Sequence, residues 1–336
     1  MFLLPNSALP VPTSAVPPNV PGLPKPFVLQ SEDLDPAAAA WLRESCDLTH
    51  CHFSDPGFPA LLAKADGLVV RTYTKVDAAL LDKGPRLKVV GRAGVGLDRI
   101  DVNECRRRGI QVVHTPDANT QAVAEYVFTL LQDALRPRTT LHKPVTLDEW
   151  TALRRELLAI NQLSELTLGI LGLGRVGSRV ARIARGYGME VLYHDLIDIP
   201  LNNRHGARPA EVPELLRRAD IFTIHIDSRP GNYKLINSTI LSQLRPSVTI
   251  VNTSRGLVMD AKALAHFLSS HAHAKALIDV HDPEPFDASY PLLGLPNAIL
   301  SPHLAASTAT AHVNMSWVVK DVWRVLNGES PEHPAP

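Results

Sequence analysis

A short apolar run that leads into three closely spaced glycines constrains this chain more than any other feature. The run begins at Leu168, and Gly172, Gly174 and Gly177 follow before helix-compatible sequence starts. In a strand–turn–helix unit the first glycine permits the tight turn, the second lets backbone approach a phosphate, and the third allows close helix packing. The free N–H groups at the helix start then bind an anion. The pattern predicts a dinucleotide-binding turn, with helix packing alone as the simpler alternative.

A second predicted strand, Glu190–Asp195, supports the dinucleotide interpretation. The strand ends in a carboxylate, Asp195. In nucleotide-binding folds an acidic residue lies at about this distance after the glycine motif. An acid there accepts hydrogen bonds from both ribose hydroxyls and repels a 2′-phosphate. No arginine follows Asp195 immediately to reverse that preference. The sequence therefore predicts NAD, rather than NADP, as the cofactor.

Length and charge exclude several classes of protein. A chain of 336 residues suggests two domains, and its formal net charge is zero. The sequence has no basic patch of the kind that binds nucleic acid or an anionic membrane. It also has no apolar run long enough to cross a bilayer. Cys46, Cys51 and Cys105 lack the spacing of a zinc site, so a reducing cytoplasmic location is expected. His271 and His273 lack acidic partners nearby, so no metal is predicted.

The order of apolar segments predicts the fold class. Runs typical of buried parallel strands alternate with helical stretches from Phe27 onward, and the alternation restarts at Leu168. This pattern predicts an α/β fold of two doubly wound parallel-sheet domains. We expect a Rossmann-type NAD domain inserted in a flavodoxin-like substrate domain. The expected bounds are 27–121 and 308–336 for the substrate domain and 122–307 for the NAD domain.

Several segments carry more local expectations. Residues 1–26 are rich in proline and poor in charge, which predicts a flexible or surface-wrapping arm rather than a signal peptide. A strand is predicted at 87–90. Residues 121–135 carry an apolar stripe that predicts a long helix, and residues 136–165 form a polar stretch to which no element is assigned. A final helix is predicted over 306–327.

Three chemically distinctive residues follow predicted strands of the second domain. Arg255, Glu284 and His303 each come just after a strand end, where ligands bind in open parallel sheets. We expect them to meet in the cleft between the domains. Singly they have plain explanations: a surface ion pair, a solvated turn and a helix cap. Together, beside a nicotinamide, they can bind a carboxylate, orient and charge a histidine, and move a proton.

These segments resemble the D-isomer-specific 2-hydroxyacid dehydrogenase family. The resemblance extends over about Phe27–Gly328 and includes the Asn-Thr-Ser-Arg-Gly, Asp-Val…Glu-Pro and Pro-His-Leu segments. It implies that Arg255, Glu284 and His303 are catalytic in the NAD-dependent interconversion of a D-2-hydroxy acid and its 2-keto acid. We expect His303 to donate the proton, with its pKa raised above about 6.5 by Glu284. Arg255 would bind the substrate carboxylate and polarise the ketone.

The resemblance also implies binding roles for other positions. Beyond the glycines, the implied cofactor contacts are the backbone of Arg175 and Val176 at the pyrophosphate, Asp195 at the adenosine ribose, and Thr253 and Asp279 near the nicotinamide. The implied substrate contacts are the backbone of Val95 and Gly96 at the carboxylate, Arg71 at a distal phosphate, and Asn119 beside the substrate. A homodimer is the implied assembly.

The substrate is the least constrained part of the prediction. The segments around Arg71, Gly96 and Asn119 are most similar to the D-3-phosphoglycerate dehydrogenase branch, which implies 3-phospho-D-glycerate, 3-phosphohydroxypyruvate and serine biosynthesis. A glyoxylate or hydroxypyruvate reductase, or another D-2-hydroxyacid dehydrogenase, is the alternative. An NAD-sensing binding protein like the C-terminal-binding-protein corepressors shares the motifs. A methyltransferase site is disfavoured, because methyl transfer needs no such trio.

The chain departs from the family pattern at several positions. Residues 157–166 replace a glycine-containing stretch, which affects the expected dimer contact. His281 stands where an aromatic residue is usual, and Asp227 where proline is usual. The sequence ends at Pro336, so feedback regulation by serine through a C-terminal domain is not expected.

Overall fold

The computed structural model describes residues 24–336. The predicted arm, residues 1–26, lies almost wholly outside the described residues. The chain divides into two compact units. Unit 1 comprises the described residues up to Ala118 together with Ala309–Pro336, and unit 2 comprises Asn119–Thr308. Within the described part of the chain, no helix is both long and apolar enough to cross a membrane.

Twelve strands and twelve α-helices are present in residues 24–336. The strands are β1 (Phe27–Gln30), β2 (Asp47–His50), β3 (Gly67–Val70), β4 (Val89–Arg92), β5 (Gln111–His114), β6 (Thr167–Leu171), β7 (Glu190–His194), β8 (Arg208–Pro209), β9 (Ile221–Ile224), β10 (Thr249–Asn252), β11 (Lys275–Ile278) and β12 (Ala298–Leu300). The helices are α1 (Pro36–Ser45), α2 (Phe58–Leu62), α3 (Ala78–Leu81), α4 (Val102–Arg107), α5 (Thr120–Leu135), α6 (Leu147–Glu156), α7 (Arg175–Gly186), α8 (Val212–Arg218), α9 (Ser238–Leu241), α10 (Ala261–Ser270), α11 (Ala309–Ser316) and α12 (Val319–Leu326).

Each unit is built on one parallel sheet. The order in unit 1 is β2-β1-β3-β4-β5, which is the flavodoxin-like order. The order in unit 2 is β12-β11-β10-β9-β6-β7-β8, in which β8-β7-β6-β9-β10-β11 follows the Rossmann order. In the register of unit 2, Leu168 of β6 pairs with Val191 of β7 and Ile221 of β9. The predicted fold class is therefore confirmed.

Burial explains why the central strands have continuous apolar sequences. Every residue of β3, β9 and β10 is buried, as expected for parallel sheets covered on both faces. Short polar caps begin several helices. Asp77 and Asp101 are acidic caps that accept backbone hydrogen bonds from Leu80 and Glu104 in the first turns of α3 and α4.

One helix was not predicted from the sequence, and one prediction about a helix is wrong. The stretch 136–165 contains α6, which begins with a capping box in which Thr146 and Glu149 bond reciprocally. The predicted single helix at 306–327 is two helices, α11 and α12. At the break, the Ser316 hydroxyl donates to the carbonyl of His312, and residues 317 and 318 bond to carbonyls three residues back. A hydroxyl that bonds back in this way bends a helix.

The predicted strand at 87–90 is also displaced. The observed strand is β4, Val89–Arg92. Leu87 lies outside the strand but is buried beside Gly84, in the same apolar cluster as Leu62, so its side chain belongs to the core without being in the sheet. The shift puts Arg92 at the strand end.

Candidate active site

The carboxyl edge of the unit 2 sheet carries the three residues that the sequence singles out for chemistry. Arg255 follows β10, Glu284 follows β11, and His303 follows β12. These three strands are neighbours in the sheet. A Cβ atom at Gly256 would lie 1.9 Å from the carbonyl oxygen of His281. The loop that carries Arg255 therefore meets the loop that leads to Glu284 backbone against backbone, which only glycine allows.

His303 and Glu284 form a hydrogen-bonded ion pair. The distance between His303 Nδ1 and Glu284 Oε2 is 2.9 Å, and both side chains are partly exposed. The hydrogen bond that His303 donates to Glu284 raises the pKa of His303 above its ordinary value, although burial and the positive charge of Arg255 oppose the rise. Burial would raise the pKa of Glu284, but the hydrogen bonds from His303 and from the His281 backbone lower it overall. The pair therefore favours imidazolium beside carboxylate.

Backbone bonds fix both members of this pair. The other Glu284 oxygen, Oε1, accepts from the His281 N–H at 2.7 Å. The N–H of His303 donates to the carbonyl of Asp279 at 2.9 Å. His303 itself has φ of +57°, in the left-handed region that non-glycine residues seldom occupy. Such a conformation persists where surrounding contacts over-determine it, and these bonds supply them.

The carboxylate of Asp279 organises the loop around His303. Its Oδ1 atom accepts from the Ser301 hydroxyl at 2.6 Å and from the Leu304 N–H at 2.8 Å. Its Oδ2 atom accepts from the Ala305 N–H at 2.8 Å. Asp279 is fully buried, so the carboxylate is held by these donors rather than by water. Sequence analysis placed Asp279 near the cofactor but missed Ser301 and this loop-holding role.

His281 fills the position at which the family pattern has an aromatic residue. Its ring is buried against Phe286 and Tyr290. Nε2 lies 2.9 Å from the Ser301 carbonyl, and Nδ1 lies 3.1 Å from the Tyr290 hydroxyl. Because a carbonyl only accepts, Nε2 carries the proton, and the ring ties the loop after β11 to the end of β12.

The glycine turn after β6 has the geometry of a phosphate cradle. Gly172 has φ of +92°, and a Cβ there would meet the His225 carbonyl oxygen at 2.8 Å. A Cβ at Gly177 would lie 2.1 Å from the Gly172 carbonyl oxygen. Gly174, in contrast, is exposed with open space beside it. Close packing thus explains why residues 172 and 177 are glycine. Gly174 instead leaves room for a ligand at the start of α7.

The other predicted cofactor residues surround the same edge of the sheet. Helix α7 begins at Arg175 and Val176, and no side chain caps its N-terminus. The Asp195 carboxylate accepts from the Leu173 N–H at 2.7 Å, which fastens it to the glycine turn. The Thr253 hydroxyl oxygen is buried without a hydrogen-bond partner among the described residues. An uncapped helix start and an unsatisfied hydroxyl suit a bound dinucleotide.

Arg71, predicted to bind a distal anion, lies in a loop of unit 1 that Glu32 organises. The buried Glu32 carboxylate accepts the N–H groups of four consecutive residues, 71–74, at 2.6–3.0 Å. These bonds lower the pKa of Glu32 in spite of its burial. The Arg71 guanidinium contacts the imidazole of His312, with Nη1 3.0 Å from Nε2. Burial and the positive charge of Arg71 lower the pKa of His312.

The remaining predicted substrate residues lie at two strand ends. Val95 and Gly96 are in the loop after β4, partly exposed. Asn119 precedes α5 and makes no side-chain bond to the helix start. Sequence analysis missed Glu32 and His312. Glu32 follows the apolar run of β1, which is the signal that would have indicated it, whereas nothing in the sequence around His312 marks it.

A comparison with known protein families places this chain in one of them. The family model described as "D-isomer specific 2-hydroxyacid dehydrogenase, NAD binding domain" matches residues 128–305. The chain belongs to this family. Unit 2 therefore carries the family's NAD-binding domain, and the prediction of NAD as the cofactor is confirmed.

Relatives of this chain bear several names. It is 35% identical to an (S)-sulfolactate dehydrogenase of Chromohalobacter salexigens, over 88% of this chain and 96% of the relative. It is 33% identical to a glyoxylate reductase of Aeropyrum pernix, over 88% and 91%. It is 33% identical to a D-3-phosphoglycerate dehydrogenase of Synechocystis sp., over 86% and 52%. The chain thus spans about half the length of the phosphoglycerate dehydrogenases it matches.

A solved structure gives the same relationship. The D-lactate dehydrogenase of Aquifex aeolicus, complexed with NAD and lactic acid, aligns with a TM-score of 0.75 at 26% identity. The alignment covers 90% of this chain and 96% of that one. The fold of this chain is therefore similar to that of this solved structure.

Proposed function

We propose that this protein is an NAD-dependent dehydrogenase that interconverts a D-2-hydroxy acid and its 2-keto acid. The observation that carries the proposal is the His303–Glu284 pair at 2.9 Å, beside Arg255 and at the edge of the NAD-binding sheet. An imidazole whose pKa is raised by a carboxylate can give and take a proton near neutral pH. The trio has the groups that this reaction needs.

In the reductive direction, each side chain of the trio has one task. NADH, when bound at the glycine turn, would supply the hydride for the carbonyl carbon. His303, as imidazolium, donates a proton to the carbonyl oxygen. Glu284 stabilises the positive charge of the imidazolium until the proton is transferred. Arg255 binds the substrate carboxylate in a bidentate manner and polarises the ketone as negative charge develops on its oxygen. In the oxidative direction neutral His303 is the base.

We further propose roles for the rest of the predicted site. Unit 1 is the substrate domain and unit 2 the NAD domain. Arg175 and Val176 hold the pyrophosphate by their backbone, and Asp195 binds the adenosine ribose. Thr253 and Asp279 lie at the nicotinamide end, with the Thr253 hydroxyl gaining a partner there. Asn119 and the backbone of Val95 and Gly96 contact the substrate.

For the substrate we propose an acid that is anionic at both ends, with 3-phospho-D-glycerate and 3-phosphohydroxypyruvate as the first pair. Arg71 supports this choice, because its half-buried guanidinium contacts the ionisable imidazole of His312. The names of the relatives also support glyoxylate or hydroxypyruvate as the alternative, since a glyoxylate reductase aligns over 91% of its own length.

A substrate panel tests both choices. NADH oxidation is measured with phosphohydroxypyruvate, hydroxypyruvate, glyoxylate, pyruvate and 2-oxoglutarate. A kcat/KM for phosphohydroxypyruvate at least about tenfold above the others supports the doubly anionic substrate, because charge-assisted bonds to the distal group contribute that much. Equal values for glyoxylate contradict it. No turnover with any of the acids contradicts the dehydrogenase itself.

We also propose a homodimer in the cytoplasm. Helix α6 buries none of its residues in the monomer, and large apolar side chains in and near it are exposed, namely Leu147, Trp150, Leu158 and Ile160. Exposed apolar clusters of this kind mark protein interfaces. Light scattering after gel filtration tests the assembly, and a monomer at micromolar concentration contradicts it.

A further inference from the structure

Two consecutive peptide groups in the loop after β4 point the same way. The carbonyl of Gly94 accepts from the Thr115 N–H at 3.1 Å. The carbonyl of Val95 lies 2.9 Å from Nδ1 of His114. The donors belong to His114, the last residue of β5, and to Thr115, which follows it. The two carbonyls are therefore drawn toward the same neighbouring strand.

The direction of these carbonyls sets the direction of two N–H groups. In a trans peptide the C=O and the following N–H lie in one plane and point in opposite directions. The N–H groups of Val95 and Gly96 are therefore turned away from β5, both to the same side. Neither has an acceptor among the described residues. Successive N–H groups on one side form a concave site for an anion.

Arg92 completes the scaffold of the loop. Its Nη1 donates to the Ala93 carbonyl at 2.7 Å, and its Nε donates to the Gly96 carbonyl at 3.1 Å. The Gly94 N–H is used by the Arg92 carbonyl at 2.8 Å. Gly94 has φ of +155°, and a Cβ there would lie 2.6 Å from the Arg92 guanidinium. Glycine is thus required for Arg92 to fold over the loop.

These contacts use every carbonyl from Ala93 to Gly96 and leave two N–H groups for a ligand. Because a carbonyl can only accept, His114 carries a proton on Nδ1. We propose that His114 and Arg92 are positioning residues that present the Val95 and Gly96 N–H groups to the carboxylate of the substrate. The inference rests on the proposed function, since a 2-keto acid supplies that carboxylate.

His114 allows a sharp test, because an asparagine amide nitrogen is the same number of bonds from the backbone as Nδ1. The probe is oxamate, an unreactive carboxylate analogue of pyruvate, titrated into the protein with NADH bound. His114→Leu removes the donor and should weaken oxamate binding by about tenfold to a hundredfold, the range for a bond to a charged group. His114→Asn restores a donor and should recover most of the binding.

The split between kinetic constants separates positioning from general damage. For His114→Leu, KM for the keto acid should rise more than kcat falls, while the NADH dissociation constant and Tm stay near wild type. His273→Leu, the same change at an exposed histidine, is the matched control and should alter none of these values. Oxamate binding by His114→Leu equal to that of wild type overturns the inference.

A second measurement covers the case in which His114→Leu is unstable. In the wild-type protein, the amide proton signals of Val95 and Gly96 should shift downfield when oxamate binds to the NADH complex. Unshifted signals at saturating oxamate overturn the inference while leaving the proposed function intact. A wild-type protein that neither reduces any keto acid nor binds oxamate overturns both.

Discussion

Nδ1 of His303 lies 2.9 Å from Oε2 of Glu284, and the bond raises the pKa of the imidazole. The sign of the pH dependence follows. Keto-acid reduction needs protonated His303, so kcat/KM for reduction should be constant at low pH and fall as pH rises through the raised pKa. Oxidation of the hydroxy acid needs neutral His303, so its kcat/KM should fall as pH decreases through the same pKa.

Replacement of the carboxylate should move this midpoint. Glu284→Gln keeps a hydrogen-bonding oxygen but removes the charge, so the midpoint for reduction should shift to lower pH, toward or below about 6.5, the ordinary histidine value. The measurement is kcat/KM against pH in both directions. An unchanged midpoint in Glu284→Gln would show that Glu284 does not set the ionisation of the catalytic acid.

Removal of the proton donor should act on turnover and spare the cofactor. His303→Asn should lower kcat by about 10²–10⁴, the usual contribution of a general acid–base. Titration of NADH fluorescence should give a dissociation constant close to that of wild type, because no proposed NAD contact is removed. Turnover of the variant at the wild-type rate would exclude His303 from the mechanism.

The charge of Asp195 should decide between the two cofactors. Asp195→Asn keeps one oxygen to accept from the Leu173 N–H but no longer repels a 2′-phosphate. The ratio of kcat/KM for NADH over NADPH should therefore fall by about tenfold or more, in line with the loss of a hydrogen bond to a charged group. If the ratio is unchanged, Asp195 does not contact the ribose.

Arg71 should matter for doubly charged substrates alone. Arg71→Ala should raise KM for phosphohydroxypyruvate by about tenfold to a hundredfold, the range for lost bonds between charged groups. KM for glyoxylate, which has no distal anion, should change little. Arg99→Ala, at an exposed arginine of the same unit, is the control. A parallel increase for both acids would indicate damage to the loop rather than loss of an anion contact.

The sequence predicts that residues of the proposed site follow strand ends, because the signal for that position is local. The glycine turn, Asp195 and the segments with Arg255, Glu284 and His303 each sit within a few residues of an apolar strand, so position follows from pattern. The predicted helix at 121–135 is confirmed as α5, because its apolar stripe is long and regular.

The contacts that hold the site in place could not be predicted. Glu32 bonds to backbone about 40 residues away, and Asp279 to backbone 25 and 26 residues away. Such bonds depend on which strands become neighbours, which no local pattern records. Helix α6 was missed for another reason: none of its residues is buried, so it has no stripe toward a core, and its capping box is the only local signal.

The placement of the trio on unit 2 has a consequence for how members of such a family diverge. The residues proposed as proton donor, charge partner and carboxylate-binding arginine, and the glycine turn, all follow strands of one sheet, and Asp279 at the same edge is fully buried. Mutations around Arg71 and His312 in the other unit can accumulate without touching that framework. A lineage can therefore exchange one acid for another while inheriting the redox chemistry unchanged.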